Sequence, residues 1–531
     1  MSLASPIRRI TRLAPALCLA LIAPALRADE VALAAQVQEP AAEHVDQHAL
    51  ADLVRQSRFD DAFEMAFDGG DELFETVFNA LDGVGAHVGD GQRFTRVPRA
   101  DLNRPGEWAD HFPPRETGPN ASSCNACHNT PSDDGSGSAA ANVHRDPLHS
   151  GDLRQFIQRN TPHTFAMGPV QRLAEEMTTA LQKIRDAAGR QACASGAESS
   201  KALVAKGVSF GAIVARPTGS TPCASFDTSQ VEGVDPDLVV RPFQWKGSVA
   251  FVRDFNRGAA HNELGMQAVE LVGEGIDGDF DGVADELGVG DMTALAVYLS
   301  AQPRPTTTLE LATLGLVPPL TFEQQSSIRS GARTFQAIGC ADCHVPRQTL
   351  DDPIFREPSA NPAFRDAKFP SGADPLRAEV DPRIAIRFDM TRDQPDNRIL
   401  DARGRVVFRL GSLTKDSRGR TQVDLFGDLK RHDMGPALAE SIDEVGTGAS
   451  VFMTRNLWGV GSTAPYLHDG RATTLTEAIA LHGGEAQASR DRFVALGADS
   501  QKQLIAFLDN LVLFKLPPPA AATAPSRAGT R

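Results

Sequence analysis

Cys124-Asn125-Ala126-Cys127-His128 and Cys340-Ala341-Asp342-Cys343-His344 are two copies of one pattern, C-x-x-C-H, in the two halves of the chain. The spacing has a chemical meaning. Two thiols three positions apart on a helical turn can each form a thioether with one vinyl group of a haem. The His that follows is then held beneath the iron as proximal ligand. A structural zinc site would need four clustered ligands. A redox dithiol would need an α/β context and no obligatory His. Two matches in one chain therefore predict two covalently bound haem c groups, one on Cys124, Cys127 and His128 and one on Cys340, Cys343 and His344.

The remaining cysteines fit an oxidising compartment. Of seven, Cys18 lies in an N-terminal stretch that reads as a secretory signal over residues 1–28. Arg8, Arg9 and Arg12 precede an apolar run, Leu13 to Leu26, that is short for a membrane span. Cys193 and Cys223 are left to pair as a disulfide or to stay as buried thiols. No later apolar run is long enough to span a membrane, so a periplasmic or secreted location is expected.

The chain has 531 residues, 41% of them hydrophobic, and a formal charge of −15. That length favours two to four domains. Net acidity repels phosphate backbones and argues against nucleic-acid binding. It suits small neutral substrates or a basic redox partner, although acidity also simply keeps a protein soluble.

Periodicity gives the organisation. Residues 29–50 read as a flexible lead-in. Residues 51–305 read as an N-terminal haem domain, with an irregular or weakly β insertion at 187–232. Phe63, Phe67, Leu73, Phe74, Val77 and Phe78 recur at helical spacing, interrupted at Gly69-Gly70. Further helices are expected over Pro169 to Ile184 and Asp291 to Ala301. A linker, Gln302-Pro303-Arg304-Pro305, leads toward a second haem domain over 321–516. There a helix over Thr321 to Ile338 runs straight into the second motif. Strands are expected near Ile384–Phe388 and Val406–Leu410, and helices over Leu475 to Leu481 and Ser500 to Phe514. The Pro/Ala-rich tail, 517–531, reads as disordered. The expected fold is mainly α: two cytochrome c-like haem domains with long irregular loops and few short strands.

Beyond the haem motifs, the C-terminal half carries His432-Asp433-Met434-Gly435-Pro436, Leu457-Trp458-Gly459-Val460-Gly461, Ala464-Pro465-Tyr466-Leu467-His468-Asp469-Gly470-Arg471 and His482-Gly483-Gly484-Glu485. These segments resemble the diheme c-type oxidoreductase family of peroxidase-like proteins. That family is similar to bacterial diheme cytochrome c peroxidases, to the diheme enzyme of methylamine utilisation and to diheme rubber oxygenases. The likeness is dense over residues 321–515 and looser over 60–305.

The resemblance implies a division of labour. A residue 14 positions after the His of the His-Asp-Gly segment ligates the C-terminal haem in this family, and here that position is His482. His344 and His482 would then close one iron from both faces, leaving the His128 haem open for a small oxidant, peroxide or dioxygen. A small redox-carrier protein would donate electrons. The resemblance also implies that Trp245 relays electrons between the haems, and that His468 and Arg471 lie near the haem propionates. Trp245 could equally be a core residue, and His468 a turn residue. Glu263, Gln267 and Glu270 are candidates for moving the proton in O–O cleavage. Phe251 and Phe255 are candidate pocket walls. His144, His149, His163 and His261 are candidate resting-state caps.

One motif stands apart. Asp277-Gly278-Asp279-Phe280-Asp281-Gly282-Val283-Ala284-Asp285-Glu286 places oxygen ligands at alternating positions around a central glycine, as a calcium loop does. Asp277, Asp279, Asp281, Val283 and Asp285 are the candidate ligands. Gly288 stands where an EF-hand needs Glu, and a solvated acidic turn is the alternative. Three functions stay open: a peroxide-reducing enzyme, a dioxygenase of the rubber-oxygenase kind acting on an unsaturated hydrocarbon, and an electron carrier without catalysis.

Overall fold

The computed structural model describes residues 39–392, 398–400, 403 and 405–516. The signal segment, the first part of the lead-in and the tail from 517 lie outside the described residues. Among the described residues helices make up 35% and strands 14%, so the fold is mixed rather than mainly α. Among the described residues the strands form seven separate sheets of two or three strands each. None of them is a central layer; helices and long connections carry the core.

Two helices, α1 (Gln47–Arg55) and α2 (Phe59–Glu75), open the described chain. In α2, Ala62, Phe63, Ala66, Phe67, Gly70, Leu73 and Phe74 are buried, one stripe at helical spacing. The helix continues through Gly69-Gly70, where an interruption was expected. Packing gives the reason: any side chain on Gly70 would run into the Ala294 carbonyl and the Tyr298 side chain, and one on Gly69 into Val45. The glycines let α2 lie close against the buried helix that carries Ala294 and Tyr298, at Val289–Ala301.

The long helix α3 spans Met167–Ser195, eleven residues beyond the expected end at Ile184. It therefore takes the first part of the segment expected to be irregular or weakly β, and the strands that follow agree with the second reading. The rest of that segment is a three-stranded antiparallel sheet of β1 (Ser199–Ala205), β2 (Val208–Pro217) and β3 (Ala224–Asp227). Lys206 and Gly207 both take positive φ, which suits the two-residue turn of a right-twisted hairpin. Leu203, Ala205, Phe210 and Ile213 face inward against α3. A disulfide, Cys193–Cys223, ties the end of α3 to the loop before β3.

Next come α4 (Val252–Ala259), a wider π-helical turn at Ala260–Leu264, and α5 (Val289–Ala301), the partner of α2. The second half begins with α6 (Phe322–Ala337). Thr321 caps it: its hydroxyl accepts from Gln324 N at 3.2 Å, and the Gln324 side chain accepts from Thr321 N at 2.8 Å. Gly339, at φ +87°, turns the chain out of α6 into the second motif. Helices α7 (Leu475–Leu481) and α8 (Ala498–Asp509) follow, with α8 packed on α6. Beyond α8, where more helix was expected, Leu511–Val512 pairs with Thr306–Thr307 instead.

A larger core runs from Leu50 to Trp458 and takes in Leu350, Phe355, Phe388, Val423 and Leu429 from beyond residue 320. A smaller one gathers Phe335, Ile338, Leu475, Phe493, Leu504, Phe507 and Leu508 beside the second motif. Among the described residues, no helix is long and apolar enough to cross a membrane.

The α2–α5 contact leaves no room at Gly70. Gly70→Val is expected to lower stability by about 1–3 kcal/mol through overpacking, read as a drop in melting temperature. An unchanged melting temperature would mean the two helices are not in close contact.

Candidate functional site

Each C-x-x-C-H motif forms one tight 3-10 turn, at Cys124–Ala126 and at Cys340–Asp342. Ser123 caps the first through its hydroxyl, which accepts from Ala126 N at 3.1 Å. All four motif cysteines are free of disulfides. Cys124, Cys127 and His128 line one cavity; Cys340, Cys343 and His344 line another.

The imidazoles share one arrangement. His128 Nδ1 lies 3.2 Å from Gly135 O, His344 Nδ1 3.2 Å from Phe426 O, and His482 Nδ1 2.7 Å from Ala478 O. A carbonyl only accepts, so in each ring Nδ1 carries the hydrogen and Nε2 is left with its lone pair. Burial pushes His128 and His344 down to about 4, and lowers His482 as well. All three are therefore neutral near pH 7, as a metal-binding imidazole must be.

In the second cavity His344 and His482 face each other, with ring centres 6.5 Å apart. Metal–imidazole bonds of roughly 2 Å on each side would place ring centres roughly 6 Å apart, so one metal fits between the rings. His482 sits at the C-terminal end of α7, whose capping box (Thr474 with Glu477) fixes the helix that delivers it. Met434 and Met453 also line this cavity, but His482 is the residue opposite His344.

The first cavity is different. Its lining contains His128 and no second His, Met or Lys. Glu263 lines it instead, from the π-helical turn. Such turns recur at functional sites because the extra residue re-aims a side chain. Backbone N–H groups of Asn120 and Ala121 hold the Glu263 carbonyl at 2.9 and 3.3 Å. Gly265 closes the turn at φ +79°, in contact with the backbone of Gly85. Burial pushes the Glu263 carboxyl up to about 7, against the opposing pull of Asn120 and Arg145. Asn120 Nδ2 donates to it at 3.1 Å.

The other distal candidates lie elsewhere. Gln267 is tied to Phe112 O and Gly278 N, and Glu270 is enclosed by Arg253 and Arg257. Phe255 lines the first cavity and Phe251 does not. Of His144, His149, His163 and His261, none lines it; His163 lines the second cavity and donates Nε2–H to Trp458 O at 2.8 Å.

A thin wall separates the cavities. Asn160, Thr161, Pro162 and Trp245 line both. Trp245 Nε1 donates to Asn160 O at 2.9 Å, and Asn160 N donates to His468 O at 2.7 Å. His468 is buried in the second cavity's lining, stacked on Phe452 with centroids 4.3 Å apart. Burial pushes it down to about 3. Arg471 lies outside both linings, at the surface, where it pairs with Asp469 and donates to Ala437 O at 2.8 Å.

Other residues were not singled out from the sequence. Arg145 and Arg159 line the first cavity and pair with Glu440 and Glu444 from the far side of the wall. Arg455 lines the second, its guanidinium 5.0 Å from the centre of the Trp245 ring. Burial alone pushes it down to about 10, and among the described residues no carboxylate pairs with it. A buried cation of that kind suits a haem propionate. No sequence signal marks it among 53 basic residues. Free thiols, neutral imidazoles offering Nε2 and an unpaired Arg455 together fit two haem c groups.

Residues 415–511 match the family described as di-haem oxidoreductase, putative peroxidase. This stretch carries the di-haem oxidoreductase signature. It includes the His432, Trp458, His468 and His482 segments, so the resemblance read from them holds there, and the family implies two haems. No curated protein matches the chain. Among solved structures, the hydrazine synthase of Kuenenia stuttgartiensis, pressurised with xenon, matches at 16% identity and a TM-score of 0.22. The match covers 43% of this chain and spans 57% of that one, and at that score it carries no argument about fold or function.

Removing the thiols of one motif isolates its group. Cys340→Ser with Cys343→Ser is expected to give protein with one covalently bound haem in place of two, counted by intact mass under denaturing conditions. Two retained haems would show that these cysteines form no thioethers.

Proposed function

We propose that the chain is an exported di-haem c-type oxidoreductase that reduces peroxide. It would comprise two cytochrome c-like halves, with electrons entering at the group held by Cys340, Cys343, His344 and His482. The group held by Cys124, Cys127 and His128 would meet the oxidant. The observation that carries this reading is the asymmetry of the cavities. One holds the paired imidazoles of His344 and His482; the other holds a single imidazole and a half-buried carboxyl whose pKa is pushed up to about 7. An electron carrier closed at both irons would need a second ligand beside His128, and none lines that cavity.

Iron porphyrin, when bound, supplies electrons and a metal site for the oxidant. Hydrogen peroxide takes up two electrons and two protons to give two waters. Glu263 supplies what a peroxide needs from the protein: as carboxylate it accepts the proton of one oxygen, and as acid it returns that proton to the departing oxygen. A pKa near 7 makes both states accessible at neutral pH. Asn120 holds the carboxyl in place, and burial raises its pKa against the pull of Asn120 and Arg145. Trp245 lies in the wall between the groups and is the aromatic path for electrons. Arg455 against its face disfavours a positive charge on the indole, which favours tunnelling through the ring over a stable Trp radical. The Cys193–Cys223 disulfide supports an oxidising compartment, periplasmic or secreted. A small redox-carrier protein would supply the electrons.

The carboxylate form is the active one, so kcat/KM for peroxide is expected to rise with pH through a midpoint near 7. Glu263→Gln should remove that rise and lower kcat/KM by about 10²–10⁴-fold. The same raised pKa has a consequence for folding: stability from this group is greatest while the carboxyl is neutral and is lost as pH rises through about 7. Holoprotein with both haems and no peroxide turnover after reduction would refute the reading.

A further inference from the structure

We infer that the loop Asp277–Glu286 binds one calcium ion, and that this ion braces the turn carrying Glu263. Asp277, Asp279 and Asp281 each present an oxygen, all within 4.8 Å of one another. Opposite ligands on calcium lie roughly 5 Å apart, so three such oxygens can share one ion. Phe280, at φ +60°, turns the backbone between Asp279 and Asp281, and Gly282, at φ +96°, turns it just after.

Two buried oxygens have no hydrogen-bond partner: Asp279 Oδ1 and Glu286 Oε1. Asp279 is fully buried and Glu286 is 3% exposed. Glu286 lies outside the alternating series, at the position after Asp285. Its other oxygen accepts from Gln267 N at 2.8 Å. The cations facing this cluster are Arg93, on Asp281 at 2.9 Å, and Arg115, on Asp279 at 2.6 Å. Two guanidinium groups against Asp277, Asp279, Asp281, Asp285 and Glu286 leave a surplus of negative charge around buried oxygens. A hard divalent cation with flexible oxygen coordination removes both the repulsion and the unpartnered oxygens.

The brace runs through Arg115. The same guanidinium that meets Asp279 donates to His261 O at 2.8 Å and to Gly265 O at 2.6 Å, on either side of Glu263. Ion occupancy fixes Asp279, Asp279 fixes Arg115, and Arg115 fixes the π-helical turn. Arg115 is in this sense a positioning residue.

The brace rests on the role proposed for Glu263, but calcium uptake is read without peroxide turnover, so its failure is distinguishable from failure of the peroxidase reading. Holoprotein treated with a chelator and desalted is titrated with calcium chloride by calorimetry, with thermal melting in parallel. One equivalent taken up, with a melting temperature several degrees higher, is expected. Asp277→Asn with Asp281→Asn should abolish the uptake and the calcium-dependent rise. The wild-type protein stripped of calcium serves where that variant does not fold, and its peroxide pH profile should lose the midpoint set by Glu263. No uptake by the wild type, undiminished uptake by the variant, or equal stabilisation by magnesium chloride would overturn the inference.

Discussion

An imidazole whose Nδ1–H is held by a backbone carbonyl can offer only Nε2 to whatever lies beyond it. That constraint operates at His128, His344 and His482, each from a different local structure. Gly135 follows the first motif in a loop, Phe426 comes from a distant segment, and Ala478 is one turn back in His482's own helix. The tautomer, the ring orientation and the neutral state all follow from these bonds and from burial. Everything chemical in the proposal depends on what shares each imidazole's cavity: a second imidazole in one, and among the described residues no second His, Met or Lys in the other.

The two cavities share one wall, and the packing behind it joins the two parts of the chain. Arg145, Arg159 and Lys246 come from the N-terminal half and Glu440 and Glu444 from the C-terminal half, and together they form a buried ionic cluster behind Trp245 and Asn160. Lys246 is further held by the carbonyls of Gly448, Ala449 and Val451 at 3.0 to 3.1 Å. Removing one partner from such a cluster leaves an uncompensated charge in low dielectric, which is why buried clusters of this kind fix geometry more than they add stability. The larger core also draws residues from both sides of the Pro303–Pro305 segment. The halves are therefore packed together over a wide surface, which suits a fixed distance between two redox groups.

Much of the site was legible because its signals are local. C-x-x-C-H states two thiols and an imidazole in five residues. The helix before the second motif and α7 before His482 carry their own caps and apolar stripes. His482 itself came through resemblance, since spacing alone does not say which His returns to which cavity. The misses are tertiary. Gly69-Gly70 reads as a helix breaker, yet close approach to α5 makes it a requirement of the packing. The weakly β reading of 187–232 holds for β1, β2 and β3, whereas the continuation of α3 to Ser195 was not read. Arg455 is set apart only by its place in the cavity lining without a carboxylate partner among the described residues, which no sequence pattern states. Among three acidic or amide candidates, only the fold separates Glu263 from Gln267 and Glu270.

The division between a closed and an open iron is tested most directly by electron paramagnetic resonance of the resting, fully haem-loaded protein. One low-spin signal of bis-imidazole type and one high-spin signal, with His482→Ala removing the first and leaving the second, is the expected result. Two low-spin signals, or a bis-imidazole signal that survives His482→Ala, would contradict the account.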